Sequence, residues 1–240
     1  RVRLRRMRVR FVAVDEAHCI SQWGYDFRPS YLRIAEIREI IPDATFLALT
    51  ASATELVAND IMDHLAFRGR HLLRSSFARP NLAYAVREVE DKYEQLLRVI
   101  NNVEGSGIVY MRTREGCEQL ATELQKQGIS ASYYHAGLPH AERSLRQEEW
   151  TEGKVRIMVA TNAFGMGIDK SDVRFVVHFS LCDSLEAYYQ EAGRAGRDGK
   201  RSYAVMLTAH DDAERIAKIF KSEFPPIADI KRIYELVCNY

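Results

Sequence analysis

The sequence has few cysteines, and none of them forms a CxxC pair. The four are scattered over 240 residues, at Cys19, Cys117, Cys182 and Cys238, which argues against a disulfide framework and a zinc knuckle. No apolar run approaches the roughly 20 residues of a membrane span, and no apolar segment of a signal peptide follows the basic N-terminus. We therefore expect a protein of a reducing intracellular compartment that has no membrane partner.

An excess of charge of one sign is also absent. The net charge is +1 and 28% of the residues are charged, so any contact with nucleic acid must use local patches. One patch opens the sequence, where arginines alternate with apolar residues and favour a strand with one basic edge; the alternative is an ordinary solvated surface. Its members are Arg1, Arg3, Arg5, Arg6, Arg8 and Arg10.

Apolar runs alternate with helical patterns along the chain. Phe11 to Val14 has the pattern of a short buried strand, and 155–160 is rich in β-branched residues. Between such runs lie segments with helical spacing. One has Cys117, Leu120, Ala121 and Leu124 on one face and can be capped by Gly128, and another, 185–192, can be capped by Ser184. This alternation predicts an α/β protein with parallel sheets and helices on both faces.

Polar and charged residues follow several of the predicted strands. Asp15 and Glu16 come after the first, residues 52–54 after the next, and residues 161–169 after a later one. In parallel sheets, ligands bind at the carboxyl ends of strands. The sequence therefore places its candidate chemistry where a ligand is expected.

The acidic pair Asp15 and Glu16 is costly at the end of an apolar strand unless a cation is present. A magnesium ion bound to a nucleotide would supply that cation: Asp15 would hold it through water, and Glu16 would orient and deprotonate the attacking water. The alternative is an acidic N-cap for the turn that follows.

An aromatic loop follows the acidic pair. Trp23, Tyr25, Phe27 and Arg28 lie within six residues of one another, and exposed rings and guanidinium planes are surfaces on which single-stranded bases stack. The alternative is that Trp23 and Phe27, spaced i and i+4, belong to the core.

Two arginines near the C-terminus complete the candidate functional residues. Arg194 and Arg197 are three residues apart, and glycines beside them leave room for a triphosphate. Paired guanidiniums of this kind stabilise the charge that develops on a γ-phosphate. A surface turn with two solvated arginines is the alternative interpretation.

Residues 15–30 closely resemble the second motif and aromatic-rich loop of the RecQ family of DNA helicases. Segments 49–54, 108–114, 160–169 and 188–199 look like the third to sixth motifs, in the expected order. The resemblance implies a partial first RecA-like domain over 1–74, a linker over 75–90 and a complete second RecA-like domain with a parallel sheet over 91–212. Residues 213–240 would begin a helical, zinc-binding subdomain, with zinc bound only beyond residue 240 and no zinc site within the chain.

The resemblance also implies roles for individual residues. The catalytic set is Asp15, Glu16, His18, Gln190, Arg194 and Arg197. The nucleotide set, for ATP and Mg²⁺, is Asp15, Gly167, Asp169, Arg194 and Arg197, with Asp15 holding Mg²⁺ through water. The nucleic-acid set, for single-stranded and duplex DNA, is Gln22, Trp23, Phe27, Arg28, Thr54, Arg112, Thr161 and Asn162. The protein would lie in the cytoplasm of a bacterium or the nucleus of a eukaryote.

One element of the family pattern is missing. No GxxxxGK[ST] phosphate loop occurs in the chain, although an ATP-driven motor needs one. We therefore expect a fragment that is inactive alone, from an ATP-dependent DNA helicase of recombination and repair. The alternatives are an RNA helicase of superfamily two and a non-catalytic, helicase-derived module that binds nucleic acid.

Overall fold

The structure, a computed structural model, describes residues 2–24, 26–165 and 168–238. The chain divides into two compact units. The first, called here the N-terminal unit, comprises Arg1–Pro80 and Cys182–Gly193. The second, called the sheet unit, comprises Asn81–Leu181 and Arg194–Tyr240.

Helices and strands alternate through most of the chain, as the sequence predicts. In chain order they are α1 (Val2–Arg5), β1 (Phe11–Val14), a 3-10 turn (Ala17–Ile20), α2 (Pro29–Leu32), a 3-10 turn (Arg33–Glu36), α3 (Ile37–Ile40), β2 (Thr45–Ala48), α4 (Glu55–His64), β3 (Leu82–Glu88), α5 (Lys92–Asn102), β4 (Ser106–Tyr110), α6 (Arg114–Lys126), β5 (Ala131–Tyr134), α7 (His140–Thr151), β6 (Ile157–Ala160), β7 (Val173–His178), α8 (Leu185–Ala192), β8 (Ser202–Thr208), α9 (Asp212–Glu223) and α10 (Ile227–Cys238). None of the helices in the described ranges is long and apolar enough to cross a membrane.

The N-terminal unit contains a two-stranded parallel ladder, β1 beside β2. Its apolar cluster includes Val14, Ile20, Ile61 and Leu65. The prediction of a buried strand over Phe11–Val14 is correct only for Val14, because Phe11 is 66% exposed. A two-stranded ladder covers little of its own surface, so the start of β1 packs against few neighbours.

The predicted basic strand at the N-terminus is wrong. Residues 2–5 form the one-turn helix α1, and residues 8–10 have no regular structure. Arg3, Arg5, Arg6, Arg8 and Arg10 are all exposed, and Arg1 lies outside the described residues. Arginine is a good helix former, and the alternative of a solvated surface fits this segment.

The sheet unit is built on six parallel strands in the order β3-β8-β7-β4-β6-β5. Every residue of β4 and β6 is buried, as expected for central strands covered on both faces. Helices α5 and α6 supply Leu96, Ile100, Leu120 and Leu124 to the core. The predicted caps are confirmed: Gly128 has a φ of 76° after α6, and the Ser184 hydroxyl accepts a hydrogen bond from the Ala187 N–H.

Two predicted boundaries need correction. The linker assigned to 75–90 contains β3, which pairs with β8 along its whole length. The polar residues that suggest a linker precede β3, which is an edge strand with Val86 67% exposed. In addition, α8 groups with the N-terminal unit, although the sequence places it within a second domain over 91–212.

The C-terminal segment is helical, as predicted, but it has little packing. The apolar side chains of α10 are more than half exposed, among them Ile227 at 71%, Tyr234 at 69% and Val237 at 72%. The assignment of this segment to a zinc-binding subdomain remains a prediction.

Candidate functional site

The acidic pair lies where β1 ends. Asp15 is exposed, and its Oδ1 accepts a hydrogen bond of 2.9 Å from the Glu16 N–H. Glu16 has a φ of 47° and a ψ of 43°, which is left-handed backbone in a residue with a side chain. Such a conformation costs about 1 kcal/mol or more and is concentrated at functional sites. The acidic-cap alternative is not supported, because the Glu16 side chain makes no capping hydrogen bond to the turn that follows.

His18 is buried beneath the acidic pair, with 2% of its side chain exposed. Its Nδ1 lies 3.3 Å from Glu16 Oε2 and 3.2 Å from the hydroxyl oxygen of Thr50. Burial lowers the pKa of His18, although the carboxylates of Glu16 and Asp26 oppose that shift. His18 is therefore neutral at neutral pH, able to donate from one ring nitrogen and accept at the other.

Hydrogen bonds continue from Thr50 through the segment after β2. The Ser52 N–H donates to the Thr50 hydroxyl over 3.4 Å, and the Gln190 side chain donates to the Ser52 hydroxyl over 3.3 Å. Glu16, His18, Thr50, Ser52 and Gln190 thus form one polar chain within the N-terminal unit, called here the Glu16–Gln190 chain. The sequence indicates its hydroxyl residues only as a class, without showing which one meets which partner.

The aromatic loop projects from the same region. Gln22 is exposed and Trp23 is 69% exposed, so the core alternative is wrong for Trp23. Phe27 is half-buried, and Tyr25 lies outside the described residues. The loop is held close to the acidic motif, since a Cβ on Gly24 would lie 2.4 Å from the carbonyl oxygen of His18.

Arg28 is held in an ion pair at the end of this loop. Its Nη2 and Nε donate to Asp26 Oδ2 over 2.5 and 3.0 Å, and its side chain is 38% exposed. The hydrogen bond to Asp26 raises the pKa of Arg28, against a smaller opposing effect of burial. The sequence singles out Arg28 for DNA but misses Asp26, the partner that orients it.

Thr54 has a structural use that the sequence did not predict. Its hydroxyl accepts a hydrogen bond from the Val57 N–H and caps α4. Replacing such a cap costs about 1 kcal/mol, so the effect of a substitution here is not specific to DNA contact. Thr54 is nevertheless exposed and is able to accept or donate a second hydrogen bond.

The remaining predicted DNA residues lie at the carboxyl edge of the sheet unit. Arg112 follows β4, and Thr161 and Asn162 follow β6. Arg112 and Asn162 are exposed, whereas Thr161 is 8% exposed and its hydroxyl accepts from the Ala163 N–H over 3.4 Å. The parallel topology brings these residues to one edge of one sheet, as predicted.

Phe164 anchors the loop after β6, a role that the sequence did not indicate. It is fully buried, and its ring lies 4.9 Å from that of Tyr134 and 5.3 Å from that of Trp150. The Tyr110 hydroxyl donates to its carbonyl oxygen over 2.9 Å. These contacts fix the path of the chain from Thr161 to Gly165.

The two arginines of the last motif contact this loop. Arg194 donates from Nη1 to the Gly165 carbonyl over 2.6 Å, and its buried Nε has no hydrogen-bond partner among the described residues. Arg197 donates to the Ile168 carbonyl over 3.1 Å and lies 3.6 Å from Asp169, whose side chain is 90% exposed. Gly167, predicted to contact nucleotide, lies outside the described residues. Both guanidiniums have specific partners, which argues against a turn with two fully solvated arginines.

Comparison with known proteins identifies the family. Residues 91–199 match the family described as helicase conserved C-terminal domain. The ATP-dependent DNA helicase hus2/rqh1 of Schizosaccharomyces pombe is 47% identical over 214 residues, covering 88% of this chain and 16% of that protein. The ATP-dependent DNA helicase RecQ of Pasteurella multocida is 46% identical over 221 residues, covering 91% of this chain and 35% of that protein. The chain belongs to the RecQ family of helicases.

This RecQ-family chain spans only part of the curated relatives that it matches. It covers 48% of the probable ATP-dependent DNA helicase RecS of Bacillus subtilis, with 40% identity over 97% of this chain. Solved structures share its fold. S. cerevisiae Dbp5 bound to RNA and ADP BeF3 has a TM-score of 0.68 and 21% identity, over 99% of this chain and 66% of that one. Mycobacterium smegmatis Lhr bound to single-stranded DNA and AMP-PNP has a TM-score of 0.68 and 21% identity, over 83% of this chain and 28% of that one.

Proposed function

We propose that the protein containing this chain couples ATP hydrolysis to translocation on single-stranded DNA and to the unwinding of duplex DNA. Its relatives named above are described as ATP-dependent DNA helicases. The observation that carries the proposal is the Glu16–Gln190 chain, which connects the candidate catalytic carboxylate to residues of two other helicase motifs. An intracellular role in recombination and repair is part of the same proposal.

Asp15 is suited to hold magnesium, and Glu16 is suited to act as the base for the attacking water. Asp15 offers an exposed carboxylate directly after a strand, and Mg²⁺ takes one or two protein carboxylates together with water and phosphate oxygens. Bound there, the ion would neutralise charge on the phosphates. Glu16 would take a proton from the attacking water, and its strained backbone holds the carboxylate beside His18.

His18 is the proposed connection to DNA. Its neutral ring contacts Glu16 and Thr50 on one side, and its carbonyl oxygen is approached closely by Gly24 of the aromatic loop. A base stacked on Trp23 would therefore influence, through the contact of Gly24 with His18, the position of the segment that holds Glu16. Gln22, Phe27 and Arg28 would complete that surface, while Thr54, Arg112, Thr161 and Asn162 would contact the DNA backbone.

Arg194 and Arg197 are the proposed phosphate contacts. The buried Nε of Arg194, without a partner among the described residues, is the kind of donor that a phosphate oxygen would satisfy. Arg197 is 39% exposed and keeps free donor capacity beyond its single bond to Ile168. Asp169 and Gly167 would lie beside the nucleotide, and Gln190 would support the γ-phosphate through Ser52.

The N-terminal unit supports the assignment to part of a first RecA-like domain. Its ladder has two strands, and Phe11, Leu47 and Leu49 are 66%, 42% and 45% exposed. Apolar side chains on a sheet are usually covered by further strands or helices. A phosphate loop on additional strands would complete both the packing and the nucleotide site.

The first experiment is ATP hydrolysis with magnesium, with and without single-stranded DNA, for this 240-residue chain and for the complete protein. We expect turnover stimulated by DNA only in the complete protein. In that protein, Arg197→Ala should abolish turnover while nucleotide binding is largely kept, since removal of an arginine finger costs about 10³–10⁵ in rate. Unchanged turnover in Arg197→Ala would remove the finger assignment.

The same assay separates the alternatives. Stimulation by RNA rather than DNA would indicate an RNA helicase. A complete protein that binds nucleic acid but hydrolyses no ATP would be a non-catalytic module, and the proposal would be wrong.

A further inference from the structure

A cluster of three potential metal ligands lies beneath the aromatic loop, in the N-terminal unit. His18, Cys19 and Asp26 offer one nitrogen, one sulfur and one oxygen atom, all within 4.8 Å of one another. Cys19 Sγ lies 3.6 Å from His18 Nε2 and 3.8 Å from Asp26 Oδ2. The catalytic scheme above uses neither Cys19 nor the Nε2 face of His18.

The two distances from the Cys19 sulfur are close to those of a tetrahedral site. With metal–sulfur bonds of about 2.3 Å and metal–nitrogen or metal–oxygen bonds of about 2.0–2.1 Å, tetrahedral angles separate the sulfur from either other ligand atom by about 3.5–3.6 Å and the nitrogen from the oxygen by about 3.3 Å. The sulfur–nitrogen distance already has this value, and the sulfur–oxygen distance requires an angle of about 124°. The third pair, the His18 nitrogen and the Asp26 oxygen, lies within 4.8 Å, so an ion among the three atoms requires at most a small closing of this pair.

The surroundings of His18 match those of a metal-binding histidine. Its Nδ1 lies beside Glu16 Oε2 and the Thr50 hydroxyl, which leaves Nε2 directed at the sulfur of Cys19. Metal-bound histidines almost always donate their other ring N–H to a carboxylate or similar acceptor, which fixes the ring and its tautomer. The Glu16 carboxylate at 3.3 Å and the Thr50 hydroxyl at 3.2 Å are both in place to accept from Nδ1.

We propose that His18 Nε2, Cys19 Sγ and Asp26 Oδ2 form a binding site for a thiophilic divalent cation such as Zn²⁺, with water as the fourth ligand. The mixed nitrogen, sulfur and oxygen set suits Zn²⁺ and Co²⁺ and is too soft for Mg²⁺. A proton leaves Cys19 as the metal–sulfur bond forms. The Asp26 side chain, 40% exposed, provides a path for entry.

Binding at this site would regulate the proposed motor by competition. Two side-chain hydrogen bonds of Arg28 go to Asp26 Oδ2, the oxygen that also lies near the Cys19 sulfur. An ion bound to Asp26 Oδ2 would compete with these two hydrogen bonds of Arg28 and would link the aromatic loop to His18. The regulatory consequence rests on the proposed function, whereas the binding site itself does not.

The test is titration of the 240-residue chain with Co²⁺ in the absence of thiol reductants and chelators. The parent chain for this experiment is a variant with Cys182→Ser and Cys238→Ser, which remove the two thiols that are not buried. We expect one Co²⁺ per chain, with a sulfur-to-cobalt charge-transfer band in the near ultraviolet, and displacement of the band by Zn²⁺. The band should be lost with Cys19→Ser and kept with Cys117→Ser, since the Cys117 thiol lies within the apolar core of the sheet unit.

Two further variants give graded results. Asp26→Asn should weaken cobalt binding, and Glu16→Gln should weaken it by about tenfold through the orientation of His18. No band in the parent chain, or an unchanged band in Cys19→Ser, would overturn the proposal. If Cys19→Ser fails to fold, an affinity unchanged in Asp26→Asn would also overturn it. None of these measurements depends on ATP hydrolysis, so the site and the proposed function fail separately.

Discussion

The guanidinium of Arg194 occupies the space that a side chain on Gly165 would fill. A Cβ built on Gly165 would lie 2.0 Å from Arg194 Nη2 and 2.5 Å from its Cζ, while Arg194 Nη1 donates to the carbonyl of Gly165 over 2.6 Å. The glycine of one motif therefore sets the position of the arginine of another. Arg194 is a proposed phosphate contact, so the relationship has a functional consequence.

Gly165→Ala in the complete protein should displace Arg194 and lower the ATPase kcat. A reduction of about tenfold or more is expected, which corresponds to about 1.4 kcal/mol of lost transition-state stabilisation. Steady-state ATP hydrolysis with saturating single-stranded DNA is the measurement.

Gly153→Ala is the matched control for this variant. Gly153 has a φ of 82° and no heavy atom within 4 Å of a built Cβ, so alanine there carries a backbone cost without displacing an arginine. Equal turnover in Gly165→Ala and Gly153→Ala would show that the position of Arg194 does not matter for hydrolysis.

Thr50→Val tests the contact between Thr50 and His18. The substitution keeps the shape of the side chain but removes the hydroxyl at 3.2 Å from His18 Nδ1. A hydrogen bond of about 1 kcal/mol corresponds to about a fivefold effect, and we expect DNA stimulation of ATP hydrolysis to fall by that factor. The measurement is the ratio of turnover with and without DNA.

Thr122→Val serves as the control for Thr50→Val. The Thr122 hydroxyl lies on an exposed face of α6 and donates to the carbonyl of Glu118, outside every motif segment. Its DNA stimulation should equal that of the unchanged protein. If Thr50→Val retained full stimulation, the Glu16–Gln190 chain would not carry the coupling.

The sheet unit was largely predictable because its pattern is local. Strands such as β6 are short runs of buried, β-branched or apolar residues between helices with a clear apolar face. β3 is not evident from the sequence because polar residues such as Ser76, Arg79 and Asn81 precede it and resemble a linker. Its identity depends on pairing with β8, which lies more than 100 residues away in the sequence.

The sequence proposes part of the candidate site but does not indicate its contacts. Asp15, His18 and Arg194 were identified because they belong to motifs with a recognisable order. Asp26 and Phe164 were missed because their roles, orienting Arg28 and anchoring the loop after β6, arise from tertiary contacts. Motif spacing contains no information on such partners.

A pH-dependent contribution to stability is expected from the pair Lys92 and Asp212. Burial acts to raise the pKa of Asp212, but hydrogen bonds from Lys92 Nζ and the Ala209 N–H outweigh burial and the net pKa is lowered. A carboxyl whose folded pKa is below its unfolded value stabilises the protein above the unfolded pKa, about 3.9. That contribution is lost as the pH falls through the folded pKa.

Asp212→Asn should therefore lower the free energy of unfolding at pH 7 by about 2 kcal/mol, the size of a hydrogen bond to a charged group. The difference from the unchanged chain should shrink below about pH 4. Denaturant unfolding at several pH values measures this difference.

Asp211→Asn is the control, because Asp211 pairs with Arg215 at the surface and such pairs contribute at most about 1 kcal/mol. A difference for Asp212→Asn that is constant with pH would contradict the assignment.

The four cysteines should react with a thiol reagent in an order set by burial and by the thiolate fraction. Burial raises the pKa of Cys19 to about 11 and that of Cys117 to about 12, so at pH 8 very little of either is thiolate, the reactive form. Cys238 is exposed and Cys182 is intermediate. We expect a fast phase from Cys238, a slower one from Cys182, and reaction of Cys19 and Cys117 only as the chain opens.

Absorbance with a chromogenic disulfide measures the phases. Cys238→Ser should remove the fast phase, and denaturant should expose every remaining thiol. Rapid labelling of Cys117 in the folded chain would contradict the packing of α6 against the sheet.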